Sequence, residues 1–326
     1  MLSSWARMWD IQEKPTSLAL MRALIGAVMF GDYAWAGLVG VVDWLWLPAA
    51  GGGLPGSSLK RVAWVYEVLP AEPWAAWLIW SVALVAAFCM MVGLFSRTAV
   101  VVTLVMSAQL ALINVPADRG IELVLRDVLL ILAFAQCGRG FSVDAWLKTG
   151  KWTGDGGLIP AWPRHLLILQ LAVIYQISGV SKFAGTWWPA ENFSAIYYVL
   201  ENPIYSRWDI DWGGALFPLT QAASILTLVF EWSAWLLPVA FWYRFTSDRP
   251  GRLRALFNRI DVRLVYAFGG FALHIGIEVL MSLGSFAIAM LALYPVFIHP
   301  DEWARVAQWV RRKTDAAAAA AGVSGP

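Results

Sequence analysis

The chain has 326 residues, 60% of them hydrophobic and only 14% charged, with 21 tryptophans. Soluble domains carry about a quarter charged residues, so this balance excludes a soluble enzyme on a single anchor and points to a polytopic membrane protein. The net charge of +2, with no basic run interleaved with aromatics, excludes nucleic acid as a partner.

Trp5, Met8, Trp9 and Gln12 share one helical face and Pro15 follows, so residues 5–15 are predicted to form a short interfacial helix within an N-terminal segment, 1–16. No basic region feeds a short apolar run with a small-residue cleavage site, and no cleaved signal peptide is expected. The first span covers 17–41 and contains Arg22 and Asp32, which must face the bundle interior or the interfaces. A loop follows over 43–72, centred on AAGGGLPGSS. Spans two and three cover 73–95 and 98–115, hinged at Ser96 and Arg97. Span four, 121–137, carries Glu122, Arg126 and Asp127 in its first turns, and the four-residue spacing of Glu122 and Arg126 predicts a pair on one face.

Span five covers 163–182 and span six covers 219–243, with Glu231 in its middle awaiting a partner from Arg126 or Lys182. Spans seven and eight, 264–280 and 283–298, are separated by a Ser-Leu-Gly turn. The predicted fold is therefore an all-α transmembrane helix bundle of about eight spans over 17–310, followed by a low-complexity tail, 311–326, that is disordered or a frayed helix. With the N-terminus inside, 17 of the 24 lysines and arginines fall on the inner side. Lys60, Arg61, Arg119, Lys182 and Arg207 fall outside, and Arg22 and Arg126 within the membrane. That asymmetry predicts an N-in, C-in, multi-pass protein of the cell (inner) membrane.

Lys182 stands at the junction of the fifth span and an aromatic loop, where a lysine after an apolar run needs headgroups, water or a partner. Tyr175 is seven residues earlier, on nearly the same helical face. A snorkelling lysine and a functional base both satisfy this placement. His274 precedes Glu278 by one turn, a pairing suited to a proton relay or to a structural bond between helices. His165 and His299 are expected to be solvated at the inner interface. Trp187 and Trp188 form either an interfacial anchor or a cap for a ring. Cys89 and Cys137 read as small core residues, and three scattered histidines predict no metal site.

Several segments resemble vitamin K-dependent gamma-glutamyl carboxylase and the wider HTTM (horizontally transferred transmembrane) group to which its membrane part belongs. LALMRALIGAVMFGD from Leu18, CMMVGLFSR from Cys89 and GRGFSVDAW from Gly138 are similar in order. VIYQISGVSKFAGTWW from Val173 looks like the carboxylase segment that carries its catalytic lysine, and LHIGIEVLMSLGSFAIAMLALYPVFIHPDEWARV from Leu273 is similar to another. The resemblance implies that Lys182 and His274 are catalytic, with Lys182 the base that deprotonates vitamin K hydroquinone or menaquinol. It implies molecular oxygen and carbon dioxide as co-substrates and a place beside the ring for Tyr175; Trp187 and Trp188, read as a cap for the ring, and Arg126 and Glu122, at the opening of span four, complete the expected ring-binding set. A lysine ordinarily titrates near 10.4, so such a base is expected in an apolar pocket that favours the neutral amine.

Two departures from the family stand out. The Asn-His pair opening the carboxylase's fourth span is replaced by Gly120 and Ile121. The chain also stops at Pro326, short of the extracytoplasmic domain that grips the carboxylase's substrates. Quinol binding is expected to be kept and glutamate carboxylation lost. The expected partners are the lipid bilayer and a peptide or protein, substrate or soluble partner, on the outer side. The alternative to an enzyme is a non-catalytic membrane partner or maturation factor for a secreted peptide.

Overall fold

The computed structural model describes residues 2–55, 63–208 and 214–320. Lys60 and Arg61, the end of the Gly-rich loop, residues 209–213 of the outer loop and the last six residues of the tail lie outside the described residues.

The chain opens with α1 (Leu2–Trp9), then α2 (Thr16–Leu38) and the short helices α3 (Val42–Trp46) and α4 (Val65–Val68). Next come α5 (Pro73–Val92), α6 (Ser96–Ile113), α7 (Gly120–Phe134), the short α8 (Val143–Thr149), α9 (Trp162–Ser181) and α10 (Ala195–Glu201). The last third holds α11 (Phe217–Trp232), α12 (Leu236–Phe245), α13 (Arg252–Ile260), α14 (Val262–Leu280), α15 (Phe286–Ala292) and α16 (Pro300–Ala320). Among the described residues, five stretches are long and apolar enough to cross a membrane: α2, α5, α6, Gly214–Trp232 and α14. In lipid every backbone polar group must be satisfied within the protein, which is why apolar runs of this length become helices.

The N-terminal segment differs from its sequence reading. The helix ends at Trp9, and Gln12–Glu13 is instead extended, pairing antiparallel with Ile159–Pro160. Glu13 is drawn in by Arg164, whose Nε donates to Glu13 Oε1 at 2.8 Å and whose Nη2 donates to Oε2 at 2.7 Å in a buried ion pair. His165 is likewise not solvated: its ring packs edge-on against Trp9 at 5.9 Å, and its Nδ1 is buried.

Span six is not continuous. It breaks at residues 233–235 between α11 and α12, because the ring of Pro238 clashes with a helical carbonyl four residues back, at Ala234. The eighth predicted span is the seven-residue α15 followed by a 3-10 turn over Tyr294–Phe297, where Pro295 removes a donor. The tail is helical at its start, since α16 runs through position 310 to Ala320.

α2 packs along α5, which packs on α6, which packs on α7, and one apolar core runs through the bundle. Of the charges expected inside that core, Asp32 accepts from Ser285 Oγ at 2.6 Å, and Arg22 is bound through both Nη atoms while its Nε has no hydrogen-bond partner among the described residues. Arg22, fully buried, donates from Nη2 to the Phe141 carbonyl at 2.7 Å and from Nη1 to Ser96 Oγ at 3.3 Å. Asp144 accepts from the N–H groups of Phe95 and Ser96 at 2.8 and 2.7 Å, capping the start of α6. The Ser-Val-Asp loop is thus a fastener, joining α2, α6 and α8.

Candidate functional site

α9 carries two polar groups towards one cavity. Tyr175 and Lys182 are two turns apart on its inward face, with Ser178 between them. Gly179 lets α11 approach, since a Cβ there would stand 3.0 Å from the carbonyl carbon of Glu231 and from the Trp232 ring. The approach brings Glu231 Oε2 within 2.6 Å of Lys182 Nζ, which also donates to Ser178 Oγ at 2.6 Å. Ser178 Oγ in turn donates to Glu231 Oε1 at 3.1 Å, closing a three-membered polar cluster. Trp187 lies beneath the ammonium, its ring centroid 5.2 Å from Nζ.

A second polar cluster faces the same space. Tyr175 Oη shares hydrogen bonds with His274 Nε2 at 2.9 Å and with Tyr294 Oη at 2.6 Å, all three residues being buried. The tyrosine hydroxyl fits against α14 because position 270 is glycine; a Cβ there would collide with Tyr294 Oη. His274 Nδ1 is buried with no hydrogen-bond partner among the described residues. Whichever tautomer His274 takes, that nitrogen offers one unused donor or acceptor.

Between the two clusters lies a cavity of about 500 Å³. Tyr175, Lys182, Trp187, Glu231 and His274 line it, and Leu273, Ile277, Leu283, Phe286 and Met290 supply apolar wall. A small-molecule site typically has a volume of about 300–1,000 Å³, mostly apolar walls and a few convergent polar groups.

The remaining expected site residues lie elsewhere. Trp188 packs on Phe183 at 5.3 Å, is exposed, and does not line the cavity. Glu122 and Arg126 face a different cavity of about 440 Å³, while Gly120 and Val124 of the same α7 turns face the lysine cavity, so the start of α7 is the partition between the two. Glu122 and Arg126 do not pair with each other. Glu122 is bound by Arg119, and Arg126 makes a two-pronged contact with Asp118 at 2.7 and 2.6 Å. The loop preceding α7 supplies closer partners than the next helical turn does. Glu278 is likewise taken from His274 by Arg207, at 3.0 Å.

Of the two partners open to Glu231, the structure selects Lys182. Sequence reasoning passed over Ser178 and Tyr294. Ser178 is four residues before Lys182 and legible as a same-face neighbour. Tyr294, 119 positions from Tyr175, carries no local signal.

The HTTM domain family matches residues 12–303 of the chain. No solved structure matches it.

Proposed function

The chain belongs to the HTTM family, whose members include the membrane domain of vitamin K-dependent gamma-glutamyl carboxylase, and on that premise we propose that its lysine cavity binds a reduced isoprenoid naphthoquinone such as menaquinol or vitamin K hydroquinone. Such a ring, once deprotonated, supplies reducing chemistry towards oxygen. The residues present suit it: apolar walls for a flat ring and a lipid tail, and a polar cluster at each of two sides for its two oxygens. The observation that carries the reading is the convergence of Lys182, Tyr175 and His274, distant in sequence, on one apolar hollow.

The proton acceptor differs from a lone buried amine. Lys182 and Glu231 are 2.6 Å apart, so the pair accepts a ring hydroxyl's proton as a unit. The proton goes to the Glu231 carboxylate, or to the Lys182 amine once that amine has passed its own proton to Glu231. Trp187 stabilises the cationic form from below. Tyr175 and His274 orient the far side of the ring, His274 through its unused Nδ1. The apolar wall keeps water from quenching a strong base. Gly120 leaves its part of the wall bare where the carboxylase has a side chain, which favours quinol oxidation without glutamate carboxylation.

Protein reconstituted in lipid should consume oxygen when given reduced menaquinone or vitamin K, and Lys182→Ala should lower that rate roughly a hundredfold, the scale of a removed general base. No oxygen uptake with either quinol, together with an unaltered Lys182→Ala, would remove the enzymatic reading. The surviving reading would then be a membrane docking partner for a secreted peptide, favoured by the exposed Trp188, Tyr198, Ile204, Tyr205 and Trp208 around the loop after α9.

A further inference from the structure

α9 starts beside Glu13 at one end of the bundle and reaches Lys182 at the other. At the Glu13 end, where Arg22 of α2 meets the start of α6, lies a further cavity of about 510 Å³ formed by the start of α6, the end of α7 and α8. Arg97, Arg139, Lys148, Asp144 and Asp155 line it, three cations against two carboxylates, for a net charge of +1. Both carboxylates are committed. Asp144 feels the charge of Lys148 but accepts from two backbone N–H groups, and Asp155 accepts from the Gly157 N–H and from Arg139. Arg97 donates Nε to the Ala133 carbonyl at 3.1 Å, and neither Arg97 nor Lys148 enters an ion pair among the described residues.

The cavity has apolar shoulders. Phe134 lines it and is exposed, and Phe95, Phe141, Trp146, Leu147 and Trp152, each within three residues of a lining residue, are exposed as well, with Trp146 and Trp152 stacked at 5.9 Å. Uncommitted cations flanked by exposed aromatics, at the ends of membrane-crossing helices, match the depth at which lipid phosphates sit. This end is also the one to which the lysine and arginine count assigns the inner face. We propose that the cavity between α6, α7 and α8 binds the phosphate-bearing headgroup of an anionic glycerophospholipid through Arg97 and Lys148, with the aromatic shoulders holding the start of its acyl chains. A soluble phosphate ester would use the two cations and leave the shoulders idle, which is why the lipid is the better occupant.

The full chain in neutral detergent, titrated with phosphatidylglycerol and read by native mass spectrometry, tests this. The wild type should keep a phosphatidylglycerol adduct whose affinity falls about 30-fold in Arg97→Gln/Lys148→Gln and about 5-fold in each single variant, taking ~1 kcal/mol per cation. Lys151→Gln, exposed and outside the cavity, should leave the adduct unchanged, and Arg97→Lys should retain most of it. Equal unfolding midpoints in phosphatidylcholine establish that the variants are folded; were the double variant unfolded, the single variants would carry the test. An unaltered adduct in the double variant, or an equal loss in Lys151→Gln, overturns the proposal. So does competition by glycerol 3-phosphate at the concentrations at which phosphatidylglycerol binds, which would make the ligand a soluble ester.

Discussion

Lys182 and Glu231 hold each other in a place where neither would be stable alone. Removing one partner of a fully buried pair costs about 3–5 kcal/mol, while replacing both with apolar groups is often neutral. The lysine side chain retains 19% exposure, so the single-variant cost falls below that range. Lys182→Met and Glu231→Leu should each lower the unfolding midpoint, and the double variant should recover most of the loss; additive losses in the double-mutant cycle would show that the pair is not coupled. Tyr175→Phe deletes the hydroxyl that links His274 to Tyr294. It should cost about 1–3 kcal/mol of stability for the partners left unsatisfied. On the proposed quinol reading it should also raise KM for the quinol more than it lowers kcat, in steady-state oxygen uptake, because that reading gives Tyr175 the positioning of the ring and not its proton.

Between elements, one contact holds the site and another fastens the opposite end of the bundle. Gly179 sets the α9 to α11 distance, and Gly179→Val should push Glu231 from Lys182 and lose about 1–3 kcal/mol to overpacking, with oxygen uptake falling alongside. A variant with wild-type activity would show that the close approach is dispensable. At the other end, Glu302 of α16 holds Arg263 of α14 in a two-pronged contact at 2.6 and 2.8 Å. Burial would raise the Glu302 carboxyl, but Arg263 and the His299 N–H outweigh it and bring it down to about 2. Because this value lies below the unfolded value of about 4.3, the contact's stabilisation is full above that pH and is lost as pH falls from about 4 towards 2. Protease sensitivity of α16 should therefore rise across that window, and should do so at neutral pH in Glu302→Gln.

At the scale of the molecule, five stretches among the described residues satisfy length and apolarity for crossing a membrane. α9 has the length but opens with Trp-Pro-Arg-His, and α7 has only 15 residues. With both counted, Lys182 and residues 151–157 lie on opposite faces. Single cysteines at Asp155 and at Trp208 should accordingly react with a membrane-impermeant maleimide from opposite sides of sealed vesicles. Labelling of both from one side would overturn the arrangement.

The sequence by itself determined the environment and most of the helices. Composition fixes a lipid-embedded chain, and runs of about twenty apolar residues have no other way to satisfy their backbone there. It also determined the neighbours Tyr175, Ser178 and Lys182, because helical periodicity is a local property. Only the tertiary structure decided which charges meet. Glu231 stands 49 positions from Lys182 and Tyr294 stands 119 from Tyr175. Glu122 and Arg126, one turn apart, were separated by the loop residues Asp118 and Arg119. A salt bridge is chosen by proximity after packing, and where α9 meets α11 and α14 meets Tyr294 that proximity rests on Gly179 and Gly270, a short-range steric fact with long-range consequences.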